Sequence, residues 1–170
     1  MVVYDRAVVR WYRALFIRLG RTRWFSWLSY RILVPIDRLV YTRTGGRFSL
    51  LHFGARRKPA FQSLLLTTTG RKTGQPRTTP VLYLSQEGRS LVVVASNFGR
   101  EHHPAWSYNL LADAEASVQV RDRSWDVRAR LASEEEQRGL WPRLLELYPT
   151  WEDYTERTDR SFRAFFLDPR

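Results

Sequence analysis

The sequence FQSLLLTTTGRKTGQPRTTPVLYLS, residues 61–85, decides the fold. Its first part, residues 61–69, is short, apolar and rich in β-branched side chains, which is typical of a buried strand. A polar loop follows at residues 70–76, and a second strand is predicted over residues 77–85. Pro80 within that strand indicates an edge or a bulge, because proline has no N–H to donate to a neighbouring strand. The stretch therefore predicts two strands joined by a polar loop.

The chain after this stretch continues to form strands in pairs. Residues 86–88 are predicted to form a hairpin turn that leads to a third strand at residues 90–95. Residues 115–121 and 124–131 form a further predicted hairpin, and a last strand is predicted at residues 162–167. Because these strands do not alternate with helices, the pattern does not fit a Rossmann domain. It favours an α+β fold, mainly β, in which a small antiparallel barrel carries flanking helices.

Three helical segments are predicted around these strands. Pro104 is suited to the first turn of a short helix. Ser133 followed by Glu136 is a capping-box pattern, and it predicts the start of a helix that Pro142 should kink. A further helical segment is predicted at residues 151–160.

The first third of the chain is a basic and aromatic leader. Residues 1–58 hold 13 basic and two acidic residues, which accounts for the whole net charge of +11. We therefore divide the chain into a helical leader, residues 1–58, and a barrel domain, residues 59–170. The excess positive charge is therefore confined to the leader, and the barrel domain has no net charge.

Within the leader, the spacing of apolar residues predicts an amphipathic helix over residues 1–19. Residues 24–34 are apolar and aromatic, and Pro35 is expected to break or restart the helix there. The glycine pair at residues 45–46 should end the leader.

Composition excludes several classes of protein. Hydrophobic residues make up 44 % of the chain and aromatic residues 14 %, which excludes a disordered chain. The absence of cysteine excludes disulfides and thiolate zinc sites. His102 and His103 are adjacent, and adjacent residues rarely converge on one metal, so we expect no metal site. The two histidines form a loop surface or, alternatively, one of them donates a proton.

The loop at residues 70–76 is the sharpest chemical feature of the sequence. Gly70 and Gly74 allow a close backbone approach to an anion, and the loop also carries Arg71 and Lys72. An arginine adds bidentate contacts to phosphate or carboxylate. The loop is either an anion-binding site or a solvated hairpin loop that happens to be basic. Its spacing does not match a Walker A motif.

Several ordered motifs give the chain a resemblance to a known family. LLLTTTGRKTGQPRTTP at residues 64–80 closely resembles the signature stretch of the deazaflavin-dependent nitroreductases, which are split-β-barrel oxidoreductases that use coenzyme F420. The resemblance continues through VVVASNFG at residues 92–99 and HPAWSYNL at residues 103–110. It resumes in the stretch from Leu140 to Arg160. It therefore implies a split barrel, coenzyme F420 as cofactor and an oxidoreductase activity.

The resemblance also implies a set of cofactor-binding residues. The basic loop would hold the phosphate and glutamate carboxylates of the cofactor tail through Arg71, Lys72 and Thr73. The other implied contacts lie on the strand after the loop, on the strand end near residue 95, on the following helix and in the last third of the chain. They are Arg77, Thr78, Thr79, Pro80, Val81, Leu82, Val94, Ala95, Ser96, Asn97, Ala105, Trp106, Ser107, Tyr108, Asn109 and Trp151.

Hydride transfer is the reaction that the resemblance implies, because a 5-deazaflavin moves two electrons as hydride. Ser96 would contact the acceptor through its hydroxyl, and Tyr148, Trp151 and Tyr154 would form the aromatic wall of the acceptor pocket. Relatives often have lysine at the position of Asn97 and tyrosine at that of Trp151, so one cation and one phenol are missing here. From helical spacing alone, Tyr148 would instead belong to the core, as would Trp141.

The function predicted on this basis is hydride transfer from reduced coenzyme F420 to a quinone, a nitroaromatic compound or a similar conjugated acceptor. The alternative is a non-catalytic split barrel that binds a deazaflavin, flavin, haem or fatty acid. No nucleic-acid motif accompanies the basic charge, so we expect no nucleic-acid partner. We expect a monomer or a homodimer.

The sequence contains no targeting segment and no apolar run of transmembrane length, so we predict a cytoplasmic protein. The leader interleaves arginine with aromatic residues such as Trp11, Trp24 and Trp27, a pattern typical of an interfacial helix. It either makes the protein peripheral on the inner face of the cell membrane or packs on the barrel with its arginines solvated.

Overall fold

A computed structural model describes residues 14–15, 17–19, 22–44 and 62–170. Residues 14–15 and 17–19 are helical, and the rest of the amphipathic helix predicted over residues 1–19 lies outside the described residues. The glycine pair predicted to end the leader also lies outside them. The boundary between leader and barrel at residues 58–59 therefore stays a prediction.

The described chain forms five α-helices and six strands. The helices are α1 (Arg23–Leu28), α2 (Val34–Arg43), α3 (Ala105–Ala112), α4 (Glu134–Leu147) and α5 (Thr150–Thr155). The strands are β1 (Ser63–Thr69), β2 (Pro76–Ser85), β3 (Leu91–Val94), β4 (Glu115–Val120), β5 (Arg123–Leu131) and β6 (Ala164–Pro169).

The six strands close into an antiparallel barrel in the order β1-β2-β3-β6-β5-β4. This confirms the predicted fold class of a small antiparallel barrel with flanking helices. Two predicted boundaries were wrong. The last strand begins at Ala164 instead of residue 162, and α5 ends at Thr155 instead of residue 160.

Pro80 lies where β2 has a neighbour on one side only. It pairs with Leu65 of β1, whereas β2 pairs with β3 only from Tyr83 to Ser85. The missing N–H of Pro80 therefore leaves no gap in a ladder, because this part of β2 is an edge. The edge that the sequence predicted at Pro80 is confirmed.

Two apolar clusters flank the barrel wall, and strand alternation assigns residues to each. Val93 and Ala95 pack inside the barrel with Leu64 and Leu66, whereas Val92 and Val94 pack on the other face against α4 and α5. β3 is apolar throughout because both of its faces are buried.

The capping box predicted at Ser133 is confirmed, and the two prolines near helices can now be placed. Ser133 and Glu136 form the capping box of α4, in which the Glu136 N–H donates to Ser133 Oγ over 3.1 Å and the Ser133 N–H donates to Glu136 Oε2 over 2.8 Å. α4 continues as one helix through Pro142. Pro104 caps α3 and does not occupy its first turn.

The leader reaches the barrel as a continuous helical segment. A π-helical turn, Ser29–Leu33, joins α1 to α2, and α2 begins immediately before Pro35. Pro35 cannot donate to the preceding turn, and a wider turn on its N-terminal side accommodates this loss. Tyr41 of α2 is fully buried, and its hydroxyl accepts a hydrogen bond from the Arg121 N–H over 2.9 Å. The described part of the leader thus packs on the barrel.

Candidate active site

A largely apolar cavity lies between the leader helix, the edge of β2, the end of β3 and α5. Its empty volume is about 970 Å³, part of which opens to solvent. The lining residues come from five regions of the chain. They are Ser29, Leu33, Val34, Asp37, Thr79, Pro80, Val81, Leu82, Val94, Ser96, Asn97, Phe98, Pro104, Trp106, Tyr148, Trp151 and Tyr154.

Ser96 places a hydroxyl in this cavity immediately beyond β3. The indole Nε1 of Trp151 donates a hydrogen bond to Ser96 Oγ over 3.1 Å. Since Oγ accepts from the indole, the hydroxyl proton of Ser96 can be donated to a bound molecule. Trp151 is 3 % exposed, so its ring is fixed by packing and holds the hydroxyl in place.

Three aromatic side chains form one wall of the cavity. The hydroxyls of Tyr148 and Tyr154 lie 3.4 Å apart, and the Tyr148 ring packs edge-on against Trp151 with centroids separated by 5.9 Å. Burial raises the pKa of Tyr148, which keeps it a neutral phenol. These residues belong to the core cluster and also line the cavity. The core position predicted for Tyr148 is confirmed, and its place in an acceptor pocket stays a prediction. Trp141 packs beside Phe162 and does not line the cavity.

The turn after Ser96 has an unusual backbone. Asn97, Phe98 and Gly99 all have positive φ, at 49°, 57° and 71°. A Cβ on Gly99 would approach the Tyr154 Cα to 3.1 Å, so glycine is needed both for its conformation and for this close approach. The side chain of Asn97 donates to the carbonyl of His102 over 2.6 Å and thereby closes the turn.

Arg160 holds this turn from the other side. Its guanidinium donates to the carbonyls of Ala95, Ser96 and Arg100 over 3.2, 2.6 and 2.8 Å. It also lies 3.1 Å from His103 Nδ1, which accepts from it. One side chain therefore fixes the backbone on both sides of the site hydroxyl.

The two histidines lie outside the lining of the cavity. Burial, together with Arg160 and Arg163, lowers the pKa of His103 to about 4, so its ring is neutral. His102 is exposed, and neither ring lines the cavity. The prediction of a loop surface fits His102, whereas His103 is a structural partner of Arg160.

The basic loop leaves the barrel at one end and is held by its own backbone. Gly70 donates to the Gln75 carbonyl over 2.8 Å, and Gly74, with φ of 67°, donates to the Gly70 carbonyl over 2.7 Å. Buried Asn109 fastens the loop to α3. Its Oδ1 accepts from the Arg71 N–H over 3.1 Å, and its Nδ2 donates to Thr68 Oγ1 over 3.0 Å.

The cations of the loop are available to a ligand. Arg71, Lys72 and Arg77 are exposed, and none of them forms an ion pair with another residue in the described part of the chain. An anion with several negative groups could contact more than one of these side chains.

The structure brings most of the predicted site residues to the cavity, but not all. The eleven that line it are Thr79, Pro80, Val81, Leu82, Val94, Ser96, Asn97, Trp106, Tyr148, Trp151 and Tyr154. Those outside its lining are Arg71, Lys72, Thr73, Arg77, Thr78, Ala95, Ala105, Ser107, Tyr108 and Asn109. Ala95 and Ser107 are fully buried, and the Ser107 hydroxyl donates to the Pro104 carbonyl over 3.0 Å.

The sequence reasoning missed the contribution of the leader to the cavity. Ser29, Leu33, Val34 and Asp37 all line it, and Ser29 and Asp37 are 2 % and 0 % exposed. Asp37 is one of only two acidic residues in the leader, and an acid within an apolar helix was a signal that could have been used. Leu33 and Val34 carry no comparable signal.

Comparison with known proteins identifies the family. A family model described as F420H(2)-dependent quinone reductase matches residues 38–169, well over half of the chain. The chain belongs to this family. It is therefore an oxidoreductase of the F420H2-dependent quinone reductase type, and it transfers hydride from F420H2 to quinone. The alternative of a non-catalytic binding protein is not favoured.

Curated relatives and solved structures agree with this membership. The F420H(2)-dependent quinone reductase Rv1261c of Mycobacterium tuberculosis is 33 % identical over 150 residues, which cover 85 % of this chain and 97 % of the relative. The putative F420H(2)-dependent quinone reductase Rv3178 of the same organism is 31 % identical, over 71 % of this chain and all of the relative. The solved F420-H2 dependent reductase FDR-A is 34 % identical with a TM-score of 0.58, over 63 % of this chain and 94 % of that chain.

The residues of this site fit a long anionic cofactor. The loop and the start of β2 together offer three exposed cations without ion pairs in the described chain, and the Nη1 atom of Arg163 is buried near α3 without a hydrogen-bond acceptor. The apolar cavity suits a flat ring system. When bound, reduced coenzyme F420 supplies the hydride, and the protein supplies position and electrostatic field.

Proposed function

We propose that the cavity under the leader is the place where the quinone accepts hydride, with the reduced deazaflavin lying along β2, the end of β3 and the start of α3. All three regions line the cavity, through Thr79 to Leu82, through Val94 and Ser96, and through Pro104 and Trp106. The hydrogen bond from Trp151 Nε1 to Ser96 Oγ carries the proposal, because it presents a fixed hydroxyl at the cavity wall.

Reduction of a quinone to a hydroquinone requires one hydride and one proton. The hydride adds two electrons, so negative charge develops on a quinone oxygen before that oxygen is protonated. In our proposal Ser96 donates a hydrogen bond to this oxygen, and the bond strengthens as the charge develops. Tyr148, Trp151 and Tyr154 pack on the quinone ring and exclude water.

The basic loop would bind the tail of the cofactor. Arg71, Lys72 and Thr73 are exposed at its tip, and Arg77 follows at the start of β2. Buried Asn109 acts here through the backbone of Arg71 and so positions the loop. In this proposal residues 59–170 form the deazaflavin-binding domain, and the leader closes the acceptor side.

Oxidation of reduced F420, followed at the visible absorbance band of the oxidised cofactor, tests the assignment directly. We expect turnover with a panel of quinones and slower turnover with nitroaromatic compounds. Fluorescence titration should show tight binding of the deazaflavin and weak binding of FMN. Tight FMN binding together with weak deazaflavin binding would contradict the proposal.

A specific observation also favours a membrane surface as the partner of the leader. Trp24, Trp27, Ile32, Ile36 and Leu39 are between 46 % and 60 % exposed on the same helical segment that buries Ser29, Asp37 and Tyr41 against the barrel. Arginines interleave with these side chains in the sequence. No helix among the described residues is long and apolar enough to cross a bilayer. We propose that this face rests on the anionic inner surface of the cell membrane.

Sedimentation with vesicles tests this partner. The full-length protein should sediment with anionic vesicles at low salt and be released in part at high salt, because salt screens the basic residues. A Trp24→Ser, Trp27→Ser double variant should lose most of this binding. Leu111→Ser, which alters a 49 % exposed leucine on α3, is the matched control. If the wild-type protein binds anionic vesicles at none of the salt concentrations, the leader has only a structural role.

The assembly we propose is a homodimer. One solved relative, 31 % identical with a TM-score of 0.60 over 79 % of this chain and 94 % of that chain, is a domain-swapped dimer. Light scattering of the purified protein decides between monomer and homodimer.

A further inference from the structure

A group of cations surrounds Tyr108 between the basic loop and the start of β6. The guanidinium carbons of Arg71 and Arg163 lie 5.2 and 5.0 Å from the centre of the Tyr108 ring. The His103 ring packs edge-on against the same tyrosine, with centroids separated by 5.9 Å. Tyr108 therefore links the exposed loop to a half-buried arginine from another part of the chain.

This group lacks a balancing negative charge. Arg163 contributes to the lowered pKa values of both His103 and Arg160, so it lies near both side chains. The residues that act electrostatically on Arg160 are Tyr108 and Arg163, and no carboxylate is among them in the described chain. Positive charge gathered at a protein surface without an acid is a site for an anion.

The two inner arginines differ in their hydrogen bonds. The guanidinium of Arg160 donates hydrogen bonds to three backbone carbonyls and to His103. In contrast, the Nη1 atom of Arg163 is buried and has no hydrogen-bond acceptor in the described structure. Arg163 is half-buried as a residue, but the unmade hydrogen bond of its buried Nη1 atom is costly, and an anionic oxygen would remove that cost.

We propose that Arg163 is a further anion-binding residue, which together with Arg71 holds a phosphate or carboxylate of the cofactor tail beside Tyr108. The inference rests on the proposed function, since it takes the acidic tail as the ligand. A guanidinium can bind either group through two parallel hydrogen bonds, and the exposed Arg71 supplies a second cation from the loop. The tail would then run from the loop tip along the outer side of α3.

Cofactor binding without turnover tests the inference. The oxidised deazaflavin is titrated into the apo protein at low and high salt, alongside a deazaflavin that ends at the sugar alcohol and has no phosphate. Arg163→Gln should weaken binding of the full cofactor at least tenfold at low salt and should not change binding of the short form. Arg163→Lys keeps the charge without the two parallel donors and should recover only part of the loss.

Matched variants separate this result from other causes. Arg123→Gln removes the same charge from an exposed position on β5 and should bind like the wild type. Arg71→Ala should weaken full-cofactor binding, which reports on the loop independently of Arg163. Equal binding of the full cofactor by Arg163→Gln and wild type, or equal loss for both ligands with a lowered melting temperature, would overturn the inference. Failure of the wild type to bind the full cofactor would instead overturn the proposed function.

Discussion

At the scale of single residues, the site that we propose depends on one hydroxyl, which accepts a hydrogen bond from an indole. The structure gives Ser96 Oγ a donor in Trp151 Nε1 and leaves its own proton available for donation to a molecule in the cavity. A tyrosine at position 151 would place a phenol where this chain has an N–H. In the acceptor pocket that we propose, this wall is therefore less polar than it would be with a tyrosine at position 151, and we expect a preference for apolar quinones.

Ser96→Ala should lower turnover with quinones by about 10- to 100-fold, because it removes a hydrogen bond that is strongest when charge develops on the acceptor. Cofactor affinity should change little. Steady-state rates at saturating cofactor and a fluorescence titration check both points. Ser124→Ala, at an exposed position on β5, is the control. A variant that loses cofactor affinity but keeps its saturating rate would show that Ser96 serves the cofactor and not the acceptor.

His103 makes the stability of the folded protein sensitive to acid. Its pKa is about 4 in the folded chain against an ordinary value of 6.5, mainly because burial and then Arg160 disfavour the charged ring. The stability that it contributes is fully present above pH 6.5 and is lost as the pH falls toward 4, since the unfolded chain takes up the proton first.

His103→Asn should reduce this pH dependence. The variant lacks the titrating ring but keeps an acceptor for Arg160, so its melting temperature should fall less than that of the wild type between pH 6.5 and 4.5. Thermal denaturation at several pH values measures the difference. Below about pH 4.5 Glu136 also affects stability, because the unfolded chain takes up its proton near pH 4.5, whereas Arg130 lowers its pKa in the folded chain to about 2. The comparison therefore belongs above pH 4.5. Parallel pH profiles for the two proteins would contradict the assignment.

At the scale of elements, the turn between β3 and α3 is built from strained backbone and held by one arginine. Three consecutive residues with positive φ, Asn97 to Gly99, are stable only where the surroundings fix them. Arg160 does this through the carbonyls of Ala95, Ser96 and Arg100. The backbone position of Ser96 is thus set by a side chain 64 residues further along the chain.

Arg160→Ala should loosen this turn and destabilise the fold by about 1–3 kcal/mol, the usual range for losing charge-assisted hydrogen bonds at a partly buried site. Amide hydrogen exchange should rise at residues 96–100 and should not rise in β4, which lies three strands from β3 in either direction around the barrel. Arg160→Lys should restore part of the protection. Uniform exchange changes across the barrel would indicate general destabilisation and not a role at this turn.

At the scale of the whole molecule, local signals were enough to predict the barrel, and long-range packing limited the rest. The hairpins, the edge at Pro80 and the capping box at Ser133 each depend on residues close in sequence. The end of α5 depends on distant contacts, because Arg160 reaches back to the β3–α3 turn and the chain must leave the helix before it.

The residues of the candidate site likewise differ in whether local sequence or long-range packing brings them to the cavity. Residues in compact motifs, such as Ser96 and Trp151, could be named from a resemblance and are found together at the cavity. Leu33 and Val34 could not, because only the docking of the leader helix against the barrel brings them there. The cation group around Tyr108 joins three distant segments and leaves no motif in the sequence.

The helical segment from Arg23 to Arg43 has one side in the acceptor cavity and an apolar side facing outward. With that outer side on a lipid surface, a quinone reaches the cavity by lateral diffusion within the leaflet and never crosses bulk water. The rate then depends on the mole fraction of quinone in the lipid, so adding inert lipid at a fixed total quinone concentration slows turnover. An assay in detergent micelles would then report a Michaelis constant that scales with the detergent, and kinetic constants would be best expressed per unit of surface.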